Sequence, residues 1–482
     1  MFALQKIEIA PYEVEQLLDV RLTGRFNEHG TLYVKALLSE EKGDGYMNSS
    51  GRGEPVCLSA QNYEGVPQIL FQGMVQKLQV RVIGQLYYLE VQAVSYSYLL
   101  DIEKRNRSFQ DKALSYEGLL QKLTAGYEDA GILDVVTQKA VIGQLLVQYQ
   151  ETDWQFLKRL ASHFHTGLVN DVRFSCPRCY FGVQGGRGVE LEAVAYSVKK
   201  DMARYLCMSQ NGVDGLYEQD FLSYEVETYT PVHVGEQVRF LGQTLYVSQA
   251  DAALKKGIFV YRLTLTAKNG MCRRYQQNDG LAGCSLRAKV TEVKNDRVKA
   301  VFELDEKAGH DPGELCFFPY ATIYASQNGS GWYCMPEIGD SVRIYFPDGI
   351  EEHAYAVSSI YEEAAPEADG ADEEAADGGY AAGWRDPSIK TLRNQEGKEI
   401  RLAPNGIYLI ADQTRVALTD TDGIIISSDQ NIRFESEKSI TLSAGEDVSI
   451  MGLTGVDLCC SETSSIKLEE NVRVVGQEIK SN

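Results

Sequence analysis

The last eighty residues carry a two-residue apolar mark that returns about every eight positions, and an internal repeat of this kind constrains a fold more tightly than local propensity does. The marks are Ile400/Leu402, Ile407/Leu409, Val416/Leu418, Ile424/Ile426, Ile432/Phe434, Ile440/Leu442, Val448/Ile450, Val456/Leu458, Ile466/Leu468 and Val472/Val474. Their first members step by 7, 9, 8, 8, 8, 8, 8, 10 and 6. Each mark is an i, i+2 pair, so both side chains leave the same face of an extended segment. Between the marks lie turn formers, as at 444–447 (Ala-Gly-Glu-Asp). The pattern is strand, turn, strand.

One chain that buries two side chains per short strand gains too little to offset backbone ordering, which costs roughly 1–2 kcal/mol per residue. The spacing therefore predicts a core shared between copies. Three chains wrapped about one axis make a triple-stranded β-helix needle, with each apolar pair inward and most strand edges paired. At a strand spacing of ~4.8 Å, ten octads give a shaft roughly 45–50 Å long. The competing arrangement is an antiparallel meander within one chain. Its hairpins would normally show Asn-Gly or Asp-Gly at many junctions, and only Asn405-Gly406 and Asp422-Gly423 qualify.

The 482 residues suggest three or four domains, and their 68 acidic against 47 basic side chains leave a net charge of −21. That charge repels nucleic acid and anionic membrane surfaces, with no Lys/Arg-rich run to compensate, so no nucleic-acid partner is expected. No apolar run approaches a spanning helix and the N-terminus lacks a signal-peptide pattern, so synthesis and folding are expected in the cytoplasm. The ten cysteines are scattered, as in a reduced compartment. His163-x-His165 followed by Cys176-Pro-Arg-Cys179 has zinc-ligand chemistry. Against it, histidines two apart on a helix diverge by about 200°; whether Cys176 and Cys179 hold a metal stays open.

Taken in order, residues 1–100 are β-rich and Gly-punctuated, which predicts a small barrel. Residues 101–205 change texture to α+β. Helical spacing covers 116–130 and 152–165, the second opening on Thr152 as N-cap and stopping at Gly167. Its apolar set is Trp154, Phe156, Leu157, Leu160, Ala161 and Phe164. Strands return over 206–285 as a second barrel. Residues 286–361 alternate as a small five-stranded barrel with a hairpin around Lys294-Asn-Asp296, and Phe317, Phe318, Trp332 and Tyr333 are expected to pack it. Within the linker 362–385, the run 362–379 holds eight carboxylates and no base, which predicts a solvated, self-repelling spacer. The needle occupies 386–482.

Four stretches carry a family likeness: Phe71-Gln-Gly-Met-Val75, Tyr96-Ser-Tyr-Leu-Leu-Asp101, Ser108-Phe-Gln110 and, most specifically, Tyr149-Gln-Glu-Thr-Asp-Trp-Gln-Phe-Leu-Lys-Arg-Leu-Ala161. In this order the chain resembles the VgrG hub-and-spike proteins of contractile injection machines, which serve type VI secretion and have relatives in phage tails and phage-like particles. The turn Met335-Pro-Glu-Ile-Gly-Asp340 is similar to the one in the family's OB-fold. The resemblance implies a mainly β homotrimer: a tandem β-barrel hub, an OB-fold and a C-terminal needle. Six hub barrels per trimer would match a hexameric inner-tube ring seated among baseplate components. It also implies a PAAR-type tip protein at the C-terminal end near 472–482, effector cargo, and puncture of a target envelope outside the cell.

Catalysis is not expected. There is no Gly-x-Ser-x-Gly, HExxH or phosphate loop, and His29, His233, His310 and His353 lack sequence-local partners. Glu351/Glu352 and Glu362/Glu363 fall on a turn and in the linker. Some phage relatives insert a lysozyme near this junction, which an eighteen-residue low-complexity run cannot be. No cofactor is expected. The alternative function is a trimeric tailspike that binds or depolymerises envelope glycans.

Overall fold

A computed structural model describes residues 5–49, 53–61, 66–186, 188–305, 314–326, 333–359 and 388–454. It divides into two units, 1–364 and 365–482.

The first unit is built on a twelve-stranded sheet whose path runs from Gln5–Ala10 to Ala195–Lys200. Its strands alternate as half-buried strands should: Thr31–Leu38 turns Leu32, Val34, Ala36 and Leu38 inward and the residues between them outward. The stretches expected as two barrels are joined in this one sheet, because strand Gln16–Arg25 pairs antiparallel with strand Gln243–Lys255, Arg25 lying opposite Gln249. They also share one core, to which Val20, Val34, Leu89 and Val91 come from the first and Val226, Val247, Leu263 and Leu265 from the second. Strand Ala195–Lys200, at the end of the stretch expected as the α+β insertion, pairs with Leu222–Thr228 and so belongs to this sheet. Register shifts at Leu58/Ser59, Val75/Lys77 and Val247/Gln249 bend the strands so that the sheet can curl. Gly73, in the first of the family-like stretches, is needed where strand Pro67–Ile83 crosses close to its neighbour: a Cβ there would lie 2.1 Å from the Val94 carbonyl oxygen.

The inserted region forms its own core around helix Asp153–Ser162. Thr152 caps that helix as expected: its hydroxyl accepts from Gln155 N–H and the Gln155 side chain accepts from Thr152 N–H, a capping box. Trp154, Phe156, Leu157, Leu160 and Ala161 are all buried. The helix stops at Ser162, short of Gly167, and His165 takes the positive φ (52°) that ends the turn.

Residues 285–359 form a sheet of five antiparallel strands in the order Phe317–Pro319, Arg297–Phe302, Ser285–Lys294, Ser341–Tyr345, Tyr355–Ser359. A parallel bridge between Tyr320 and Ala356 brings its two edges together. Asn295, at positive φ (55°), makes the expected hairpin. Of the four aromatics, Phe318 is in the core, Phe317 is half-buried, Tyr333 is exposed with its hydroxyl donating to Asn295 O, and Trp332 lies outside the described residues.

The second unit corrects the expectation of strands wound with two other copies from their start. Strands Lys390–Arg393, Glu399–Ala403, Gly406–Ala411, Thr414–Thr419 and Gly423–Ser427 form an antiparallel meander within the chain. The reason lies in the turns. Ala403 opposite Gly406 leaves a two-residue loop over Asn405, and Gly406 is required because a Cβ would lie 2.4 Å from the Leu418 carbonyl oxygen. Ala411 opposite Thr414 leaves another over Asp412, which takes a positive φ (57°) as Asp can without a following glycine. The acidic run 362–379 lies outside the described residues.

Candidate functional site

The meander has two chemically different faces, and its register shows why. Directly opposed residues share a face, so Leu392, Ile400, Leu409, Val416 and Ile426 form one aliphatic ladder across the five strands. Leu402, Ile407, Leu418 and Ile424 form a second beside it. The other face is mixed: it carries Arg393, Glu399, Arg401, Tyr408 and Arg415 together with Ile410, Ala417 and Ile425, and the Glu399 carboxylate is held by Arg401 at 2.6 Å and Arg393 at 3.5 Å. Apart from the half-buried Val416, the ladder residues are exposed, from 41% at Leu418 to 71% at Ile424. Eight exposed aliphatic side chains gathered on one face are what an interaction surface presents.

The first four marks therefore meet on one sheet face. Ile432, Phe434, Ile440, Leu442, Val448 and Ile450 continue in 428–454, exposed and in no strand among the described residues. Val456, Leu458, Ile466, Leu468, Val472 and Val474 lie outside the described residues.

The first unit carries a second feature: a buried polar joint that fastens the 285–359 barrel to the inserted region. The Arg159 side chain is 2% exposed and its guanidinium donates to Glu351 at 2.8 Å, to Glu151 at 2.8 Å and to Val147 O at 2.7 Å. Burial alone would lower the Arg159 pKa, but the two carboxylates outweigh it and the pKa is raised. Asp305 accepts from Ser108 N–H at 3.0 Å and from its hydroxyl. Gln110 donates to Ala300 O at 3.1 Å and accepts from Cys316 N–H at 3.2 Å. Leu145, Val147 and Leu281 complete the apolar core of the barrel itself. Glu351, expected on a solvated turn, is thus buried because a helix 192 residues away brings it a cation.

The histidines acquire partners that sequence distance had hidden. His29 Nδ1 meets Ser97 Oγ at 2.7 Å and Nε2 meets Asp101 at 3.3 Å, a Ser-His-Asp series. Ser97 is 1% exposed and the imidazole lies against Trp154, so the series ties the sheet to the capped helix, with Thr152 also donating to Asp101. His163 stacks on Tyr275 with ring centres 4.6 Å apart and meets the Tyr116 hydroxyl at 3.0 Å. Burial, helped by Arg159, lowers its pKa to about 3. His165 contacts Arg273 O, and Cys179 is buried in strand Arg178–Phe181. Among the described residues His163, His165, Cys176 and Cys179 do not form a group able to hold a metal, and no helix is long and apolar enough to cross a membrane.

No family model matches the sequence, and no curated protein does. Solved structures do match in fold. One is the E. coli c3393 protein, described as a type VI secretion component with structural similarity to the T4 bacteriophage tail proteins gp27 and gp5. It has TM-score 0.52 and 13% identity, covering 74% of this chain and 100% of that one. Another is the half-lidded Francisella PdpA-VgrG complex, at TM-score 0.53 and 8% identity, with 88% of each chain covered. The lidless PdpA-VgrG complex matches at TM-score 0.52 and 9% identity, over 88% of this chain and 99% of that one. The chain thus has the mainly β fold of VgrG-type hub-and-spike proteins.

Proposed function

We propose that this chain is the structural hub and spike of a contractile injection machine, acting as a homotrimer on the end of the inner tube. The observation that carries the reading is the pair of aliphatic ladders on the meander, set in a chain of hub-and-spike fold. Three copies that turn these faces toward one axis bury all three at once, and the marks beyond Ile426 continue the same shared core. Fully burying one Leu or Ile side chain is worth about 1.5–3 kcal/mol, so eight marked side chains per copy are ample to hold a trimer against its assembly cost. The spike transmits force and needs no catalysis: a sheath supplies the work, and the joint at Arg159 passes load from the inserted region to the barrel.

In this reading the fused sheet of the first unit seats on a hexameric tube protein among baseplate components. The C-terminal end, near 472–482, receives a PAAR-type tip protein and, through it, effector cargo. Assembly takes place in the cytoplasm and delivery outside the cell, through a target envelope. The test is the mass of the purified full-length chain by light scattering, followed by electron microscopy of native particles. A trimer seated at a tube end inside a sheath is expected; a monomer overturns the reading. Release of glycan from target envelopes by the purified protein would replace it with a tailspike function.

A further inference from the structure

In the first unit two arginines, Arg204 and Arg273, stand on either side of one peptide unit. Arg204 lies in helix Met202–Ser209, where the Asp201 side chain caps the start by accepting from Arg204 N–H at 3.0 Å. Its guanidinium donates to Cys272 O at 3.2 Å and rests 5.9 Å over the Phe221 ring. Arg273 is the residue that follows this carbonyl. It is pinned to the end of the capped helix Asp153–Ser162: Arg273 N–H donates to His165 O at 3.1 Å, and His165 Nδ1 meets Arg273 O at 3.2 Å. The half-buried Arg273 guanidinium lies 5.3 Å over Phe26. Each cation is therefore backed by an aromatic ring, and burial together with the charge of Arg204 pushes the Arg273 pKa down.

A cation drawn out of water is normally paired, because desolvation costs more than a ring contact returns. Among the described residues neither arginine is in an ion pair, the Arg273 guanidinium makes no hydrogen bond, and its Nε is buried and unsatisfied. The carboxylates that act on this peptide, Glu28 and Asp220, are engaged elsewhere. Asp220 takes Tyr217 N–H at 2.9 Å and Asn269 Nδ2 at 3.4 Å, and the exposed Glu28 faces Arg25 at 3.9 Å. Arg159 shows how the same chain satisfies a buried guanidinium, with two carboxylates and a carbonyl. Arg204 and Arg273 call for an anion that carries several oxygens.

We propose that Arg204 and Arg273 together bind a phosphate group. Two forked guanidiniums offer several N–H donors to its oxygens. The charge of about −1.5 to −2 that a phosphate monoester carries near neutral pH matches two cations better than a single carboxylate does. The rings lie against the guanidinium faces and leave N–H edges for the anion, while the two bonds to His165 hold Arg273 in place. The ligand is a small phosphate and not a nucleic acid, because the net charge of −21 opposes a long polyanion.

Phenylglyoxal, which modifies accessible guanidinium groups, tests this on the purified full-length chain when the modified arginines are located by mass spectrometry. Inorganic phosphate should slow the modification of Arg204 and Arg273 several-fold, while Arg274, exposed and next in sequence, reacts as before. Acetate at equal ionic strength should protect much less. Titration calorimetry should find one phosphate per chain, weakened about tenfold or more by Arg204→Met or Arg273→Met and nearly unchanged by Arg274→Gln. In chloride alone Arg273→Met should melt no lower than the parent, since it removes an unpaired cation, and phosphate should raise the melting temperature of the parent only. Equal protection of all three arginines, or of none, overturns the proposal, as does protection by acetate equal to that by phosphate. So does an Arg273 that reacts only after copies of the chain are separated, which would assign the pair to a neighbouring copy's carboxylate.

Discussion

The barrel of residues 285–359 and the meander of residues 390–427 are both made of five antiparallel strands, yet they treat their apolar faces in opposite ways. In the barrel the sheet closes through Tyr320 and Ala356, and Ala288, Val298, Phe302 and Ile344 are at most 2% exposed. In the meander the sheet stays open, and Ile400, Leu402 and Ile424 are 45%, 48% and 71% exposed. Strand number and antiparallel pairing are the same; what differs is where each apolar side is covered. The barrel is finished by its own curvature, by Leu145 and Val147 from the inserted region and by Leu281 just before its first strand. The meander has an apolar side that no described residue covers. One sheet is completed by its own chain and the other is left open, which is the difference on which the proposed trimer rests.

The largest expected effect breaks this contrast on the open side. Ile407 sits between Leu402 and Leu418 in the second ladder. In the proposed trimer, Ile407→Asp would bring three carboxylates into an apolar core, where desolvation and like charge both oppose them. Loss of the trimer by light scattering is expected, with the near-ultraviolet signal of buried Trp154 unchanged. A trimer that survives the substitution would show that the ladders do not face a shared core.

Acid should act on the first unit, in the inserted region that the barrel packs on. His163 stays neutral in the folded protein down to about pH 3, whereas the unfolded chain takes up its proton near pH 6.5. The unfolded state binds more protons between these values, so stability falls as pH drops from about 6.5 toward 3 and then levels off. The loss amounts to at most about 4–5 kcal/mol at 1.36 kcal/mol per pH unit. All six histidines precede residue 365, so this component belongs to the first unit alone. Urea unfolding followed at Trp154 across this pH range should show a weaker dependence in His163→Phe; an identical slope would assign the effect to other groups.

The joint gives a smaller effect. Glu351→Ala leaves the buried Arg159 with one carboxylate fewer, at a cost of about 3 kcal/mol, and Glu351→Gln, which keeps an acceptor oxygen, should lose less. Equal losses in the two variants, by denaturant midpoint, would mean that packing and not charge holds the barrel. The smallest effect is at the start of the same helix: Thr152→Ala removes the cap and should cost about 1 kcal/mol, with assembly unchanged.

Local chemistry alone was enough for much of this. The i, i+2 marks place Ile400 with Leu402 and Ile407 with Leu409 on one face whatever the strands pair with, because side chains alternate along any extended segment. Thr152 and Gln155 announce a helix start, and the alternation around Lys294-Asn-Asp296 announces a hairpin, since caps and turns are satisfied within a few residues. Only the tertiary structure decided the rest. That strand Gln16–Arg25 would pair with Gln243–Lys255 and merge two barrels into one sheet depends on a neighbour more than two hundred residues away. That Glu351 would be buried rather than solvated depends on Arg159, and that His29 would have partners at all depends on Ser97 and Asp101. The antiparallel path of the meander turned on Asp412 accepting a left-handed backbone, a choice made by pairing energy across the hairpin that residue type alone leaves open.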